Sequence, residues 1–93
     1  MIKVFYSPQI DETDILTYDI QGEVITATLN GVSDIFDFTD LPNGMINEII
    51  SDLSVNPIIH AEREDGILYV ELLNYIKEDA TEFEKFPVWI EVE

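Results

Sequence analysis

In a chain of 93 residues, 20 Asp and Glu against four Lys and Arg give a formal net charge of −16, which repels phosphate backbones and anionic bilayers and argues against nucleic-acid or membrane binding. Hydrophobic residues make up 46%, enough for one small core, and the lack of cysteine excludes disulfides, thiolate metal sites and a cysteine nucleophile. No apolar run approaches the roughly 20 residues that span a bilayer, and residues 1–6 contain no signal-like apolar region, so the chain is expected to be cytosolic when made.

Residues 2–6 read as a first strand ended by Ser7-Pro8. The acidic run Asp11-Glu12-Thr13-Asp14 has no period and reads as a loop. Leu16, Tyr18 and Ile20 then alternate with Thr17 and Asp19, the period of a half-buried strand. Gln21-Gly22 offers a tight turn, and Asn30-Gly31 supplies the two residues that most readily take φ > 0 in a type I′ hairpin. With two-residue loops at both, Tyr18 pairs with Ile25, Leu16 with Ala27, Leu29 with Val32 and Ile25 with Phe36, all on one face of a three-stranded meander. Thr28–Ser33 and Thr26–Ile35 fall on the more polar face. Glu23 and Asp34 fit least well, and Asp34, opposite Ala27, belongs near the rim or in a bulge.

After Phe38 the period changes. Met45, Ile46, Ile49, Ile50 and Leu53 fall at helical spacing and predict one helix from about Pro42 or Asn43 to about Leu53, packed on the apolar face of the sheet. A second hairpin follows, residues 58–63 and 67–73 joined through Asp65-Gly66. Ile59 then pairs with Leu72 and Ala61 with Val70 on the buried side, and His60 with Glu71 and Glu62 with Tyr69 on the charged side. Asp79-Ala80-Thr81-Glu82 has capping-box spacing ahead of a helical turn that ends by Pro87. Val88, Ile90 and Val92 alternate with Trp89 and Glu91 as a short terminal strand or an extended tail over residues 86–93. The expected fold class is α+β over a single domain, 1–93: a mainly antiparallel sheet made of a three-stranded meander plus a hairpin, the first strand at an edge or bridging them, and one helix packed on the apolar face.

Little in the sequence carries chemistry. His60 is the sole histidine, with no nucleophile paired to it, and one His without Cys cannot build a zinc site. Neither Asp11-Glu12-Thr13-Asp14 nor Glu62-Arg63-Glu64-Asp65-Gly66 has the ligand ladder of a calcium loop. The four glycines are isolated, which removes a phosphate-cradling loop. No catalytic residue, cofactor or metal ligand is assigned. Phe86 and Trp89, close to Pro87, are the candidate contact for a protein partner, because tryptophan is enriched at binding hot spots.

The run GEVITATLNGVSDIFDF at residues 22–38, followed by LPNG, by NPIIHAEREDGILYVELLNYI, and by an acidic-aromatic stretch ahead of Phe86-Pro87-Val88-Trp89, resembles a group of small uncharacterised proteins encoded by phages and prophages of Gram-positive bacteria. Their genes tend to lie among those for tail and baseplate components. The resemblance implies a non-enzymatic accessory protein that works through protein–protein contacts, tail-associated or engaged in tail assembly, and present in the host cytoplasm or the virion. It brings no catalytic residues. The alternative is an acidic DNA mimic that inhibits a host nucleic-acid-binding protein; it expects carboxylates in a row on one face.

Overall fold

A computed structural model describes residues 2–40, 42–45, 49, 51 and 53–92 of the chain. The strands in chain order are β1 (Ile2–Ile10), β2 (Leu16–Gln21), β3 (Val24–Leu29), β4 (Val32–Asp37), β5 (Gly44–Met45), β6 (Ile58–Glu64), β7 (Ile67–Ile76) and β8 (Ile90–Val92), with a four-residue helix α1 (Glu82–Lys85) between the last two. They form two sheets. The smaller is the antiparallel meander β2-β3-β4; the larger has the order β5-β6-β7-β1-β8, with the two-residue β5 extending one edge.

The meander keeps the expected face but not every expected pair. Across Asn30-Gly31, at φ 51° and 86°, Leu29 meets Val32 and Ile25 meets Phe36, as the type I′ geometry requires. In the first hairpin the two loop residues are Gly22 and Glu23, not Gln21 and Gly22, so Tyr18 pairs with Ala27 and Leu16 with Leu29. Gly22 alone takes positive φ there, 62°, the requirement of a II′ turn at its first position. Moving a loop by one residue changes partners by two, so each side chain keeps its side of the sheet. Asp34 sits opposite Ala27 with no bulge; it is a rim residue, half-buried, and accepts a hydrogen bond from Ser51 Oγ at 3.1 Å.

The expected α+β class is wrong in its central feature. Among the described residues no helix packs on either sheet; the apolar face of the meander is covered by the larger sheet. Leu16, Ile25, Ala27, Leu29, Phe36 and Phe38 from one side and Ile2, Val4, Ile58, Ala61, Leu68, Val70 and Leu72 from the other make one buried cluster. A second sheet supplies the cover expected of a helix. In the segment expected to be that helix, Gly44–Met45 pairs with Arg63 and Glu62 as a strand, with Gly44 at φ 124°, and Ile49, Ser51 and Leu53 are not helical. Residues 46–48, 50 and 52 lie outside the described residues. Local side-chain bonds replace helical ones here: Leu53 N–H donates to Ser51 Oγ, Asn56 Nδ2 to the Ile49 carbonyl, and Ile58 N–H to Asn56 Oδ1.

The larger sheet is also not purely antiparallel. β1 lies inside it, parallel to β7 over its whole length from Ile2–Leu68 to Ile10–Ile76, and antiparallel to β8 over Ile2–Val4. A parallel neighbour needs a long crossover, and the whole meander supplies it. β1 runs on through Pro8, past the reach of β8, where only β7 flanks it and a missing N–H can face away from the ladder. In the β6–β7 hairpin Ala61–Val70, His60–Glu71 and Glu62–Tyr69 pair as expected, but a bulge between Ile58 and His60 gives the place opposite Leu72 to Ile58 and turns Ile59 outward. α1 has the capping box two residues later than expected, between Thr81 and Glu84.

Polar links also tie the sheets. Tyr18 Oη reaches across to donate to the Leu73 carbonyl, and burial pushes its phenol far above the ordinary tyrosine range. Arg63, inward-facing in register with Leu68, donates to both carboxylate oxygens of Glu23 at 2.9 Å and to the carbonyls of Phe38 and Gly66. Glu23, the misfit of the meander, is thereby the anchor of its first turn.

Candidate docking face

Residues in register on neighbouring strands share a face, so the larger sheet carries two rows of side chains on the side turned away from the core. One row crosses four strands as Glu62, Tyr69, Lys3 and Glu91. The next runs His60, Glu71 and Phe5, and Trp89, one residue before β8, continues it. Both rows exist because Ile2, Val4, Leu68 and Val70 turn inward, which forces the alternate residues of β1 and β7 outward.

Trp89 is held in place by the two rows. Its ring centroid lies 5.5 Å from that of Phe5, tilted 51°, and 5.7 Å from that of Tyr69, edge-on at 86°. Such aromatic pairs add about 0.5–1.5 kcal/mol each beyond area burial. Trp89 nonetheless stays 47% exposed, so part of a rigidly seated indole faces solvent. Lys3 Nζ stands 5.7 Å from the centre of the Tyr69 ring, within cation–π range. Two carboxylates border these aromatics, Glu62 beside Tyr69 and Glu71 beside Phe5, and Glu91 stands beside Lys3.

Of the two contact residues singled out in the sequence, Trp89 joins this cluster. Phe86 is the C-cap of α1, its N–H donating to the Glu82 carbonyl at 2.8 Å, and it is 76% exposed. In the stretch expected to be strand or tail, Ile90–Val92 forms a strand and Phe86 to Trp89 before it are irregular. Phe5 and Tyr69 are not legible as site residues in the sequence, because no turn announces the parallel pairing of β1 with β7 that brings both to one face. The available signal was their shared alternation: each sits one residue after a buried aliphatic, Val4 or Leu68.

The remaining candidates have ordinary structural roles. His60 lies on the outer face with its Nε2 3.8 Å from Glu62 Oε1. Asp11 organises its own loop, its Oδ1 accepting from Thr13 N–H, Thr13 Oγ1 and Asp14 N–H, and the backbone bond from Asp14, followed by that from Thr13, holds its carboxyl below the usual range. Glu62 and Arg63 point to opposite faces, and Asp65-Gly66, at φ 50° and 80°, makes a I′ turn. Among the described residues no group of three or more His, Cys, Asp or Glu is arranged to hold a metal ion.

No protein-family model, curated protein or solved structure matches this chain. Its own geometry has to carry the functional reading.

Proposed function

We propose that this protein is a non-enzymatic interaction domain that docks through the outer face of its larger sheet, and that its partner is a component of a phage tail or its assembly machinery. The observation that carries the docking reading is the half-exposed Trp89 seated on Phe5 and Tyr69. A large aromatic whose rotamer is already fixed loses little conformational freedom on binding, which is why such residues dominate protein interfaces. Phe86 and Val88, close to it in sequence, are exposed as well. The tail association rests on the resemblance of residues 22–38 and the two hairpins to small phage and prophage proteins.

The distribution of acids favours this over the DNA-mimic reading. Asp19 and Asp37 lie on the outer face of the meander, Glu62, Glu71 and Glu91 on that of the larger sheet, and Asp11, Asp65 and Glu78 in loops. A mimic of a phosphate row needs them aligned on one side. Affinity capture from infected or induced cells is expected to recover tail components with the wild-type protein, and much less of them with Trp89→Ala. Recovery of a host polymerase or nuclease alone would contradict the reading.

A further inference from the structure

We infer that the outer face of the larger sheet is a recognition surface for an arginine-bearing segment of the partner, with guanidinium groups seated against the Trp89–Phe5–Tyr69 cluster and paired to Glu62 and Glu71. This deepens the docking proposal above and rests on it. The first argument is charge complementarity at short range. Each aromatic of the cluster that lies in a strand has a carboxylate as its direct cross-strand neighbour, Tyr69 with Glu62 and Phe5 with Glu71. A cation set down there meets a negative ring face and a carboxylate together, the combination that favours arginine over lysine: a planar guanidinium both stacks and bonds a carboxylate in two-pronged fashion.

The second argument comes from the chain itself. Lys3 already stands over the Tyr69 ring, between Tyr69 and Glu91 in register, so the first row holds a cation in the same way. The second row, His60, Glu71, Phe5 and Trp89, has the same kind of ring and carboxylate neighbours and no Lys or Arg among these four. An incoming arginine completes there what Lys3 does in the first row. The outer face of the meander offers no such combination: its threonines, Asp19, Asp37 and Ile35 include no aromatic. Bulk attraction to a chain of charge −16 would act on both faces alike.

Because Trp89 is the sole tryptophan, its emission reports this face alone. The probe is a capped peptide of alternating arginine and serine, with the lysine–serine peptide of equal charge as comparison, titrated at physiological salt and followed by Trp89 fluorescence and backbone amide NMR shifts. The expected result is a saturable change centred on residues 3–5, 60–62, 69–71 and 89–91, with the arginine peptide the tighter. Trp89→Ala, read by NMR, should weaken binding about ten-fold. Glu71→Gln and Glu62→Gln, isosteric changes at half-buried outer-face positions, should each weaken it about three-fold, and Asp19→Asn on the other sheet not at all. Shifts spread over both sheets, equal affinity for the lysine peptide, or an Asp19→Asn effect as large as that of Glu71→Gln would overturn the inference. A cellular partner still captured in full by Trp89→Ala and Glu71→Gln would overturn it too while leaving an interaction role standing; failure to capture any partner removes that role itself.

Discussion

Leu72→Ala is expected to lower the free energy of unfolding by about 2–5 kcal/mol, the range for deleting a fully buried leucine whose cavity cannot collapse. Leu72 is 0% exposed and stands in β7 between Tyr6 of β1 and Ile58 of β6, at the centre of the surface that covers the meander. A domain of this size has roughly 5–14 kcal/mol in total, so the loss is a large share of it. Urea unfolding followed by circular dichroism measures it, with Val88→Ala, an exposed site, as the control expected to stay within about 0.5 kcal/mol. An effect of Leu72→Ala no larger than the control would mean that this face of β7 is not covered.

Arg63→Met is expected to cost about 2–4 kcal/mol, because it leaves the Glu23 carboxylate without its two-pronged partner in a site where the two side chains are only 12% and 15% exposed. The loss is more than one ion pair, since Arg63 also satisfies the carbonyls of Phe38 and Gly66. Combining Glu23→Gln with Arg63→Met should cost less than the sum of the two single changes; a strictly additive double mutant would show that the two residues are not coupled. The same pair sets a pH dependence. Hydrogen bonds from Arg63, helped by its positive charge and opposed by burial, hold the Glu23 carboxyl below the usual range. A depressed carboxyl contributes stability that is complete above its unfolded value near 4.3 and is lost as pH falls through the lower folded value. The stability difference between wild type and Glu23→Gln should therefore be constant at neutral pH and shrink below about pH 4.3. Asp11 and Asp37, also shifted down, are common to both proteins and cancel in that difference.

Where a turn residue dictates backbone geometry, the sequence is a good guide. Asn30-Gly31 and Asp65-Gly66 take positive φ at both positions, and the pairs beside them, Ile25–Phe36 and His60–Glu71 among them, follow by counting. Gln21-Gly22-Glu23 has one glycine and two ways to centre a loop, and there the count slips while the buried face survives. Ile58-Ile59 presents two equivalent aliphatics to one inward place, so alternation alone cannot reveal a bulge. The helix failed for a related reason. The spacing of Met45, Ile46, Ile49, Ile50 and Leu53 suits a helix, yet Gly44, Ser51 and Asn56 provide competing local bonds and a backbone conformation outside the helical region. Tertiary context decides between such options.

The candidate site was legible only in fragments. Trp89 stood out by residue type, and Glu62–Tyr69 and His60–Glu71 by hairpin register, but what joins them is the parallel pairing of β1 with β7, and no local signal specifies a partner so distant along the chain. Lys3 and Phe5 of the opening strand are brought to Tyr69 and Trp89 by topology. Arg63 could have been recognised sooner: the only arginine of the chain falls on the face of Ala61, where a charge needs a partner from the opposing layer.

The insertion of β1 between β7 and β8 both closes the core and assembles the docking face, and NOE spectroscopy of the single indole tests it most directly. Cross-peaks from the Trp89 ring protons to the ring protons of both Phe5 and Tyr69 are the predicted result. Cross-peaks from the indole to neither ring, in a sample whose β2-β3-β4 contacts are intact, would contradict it.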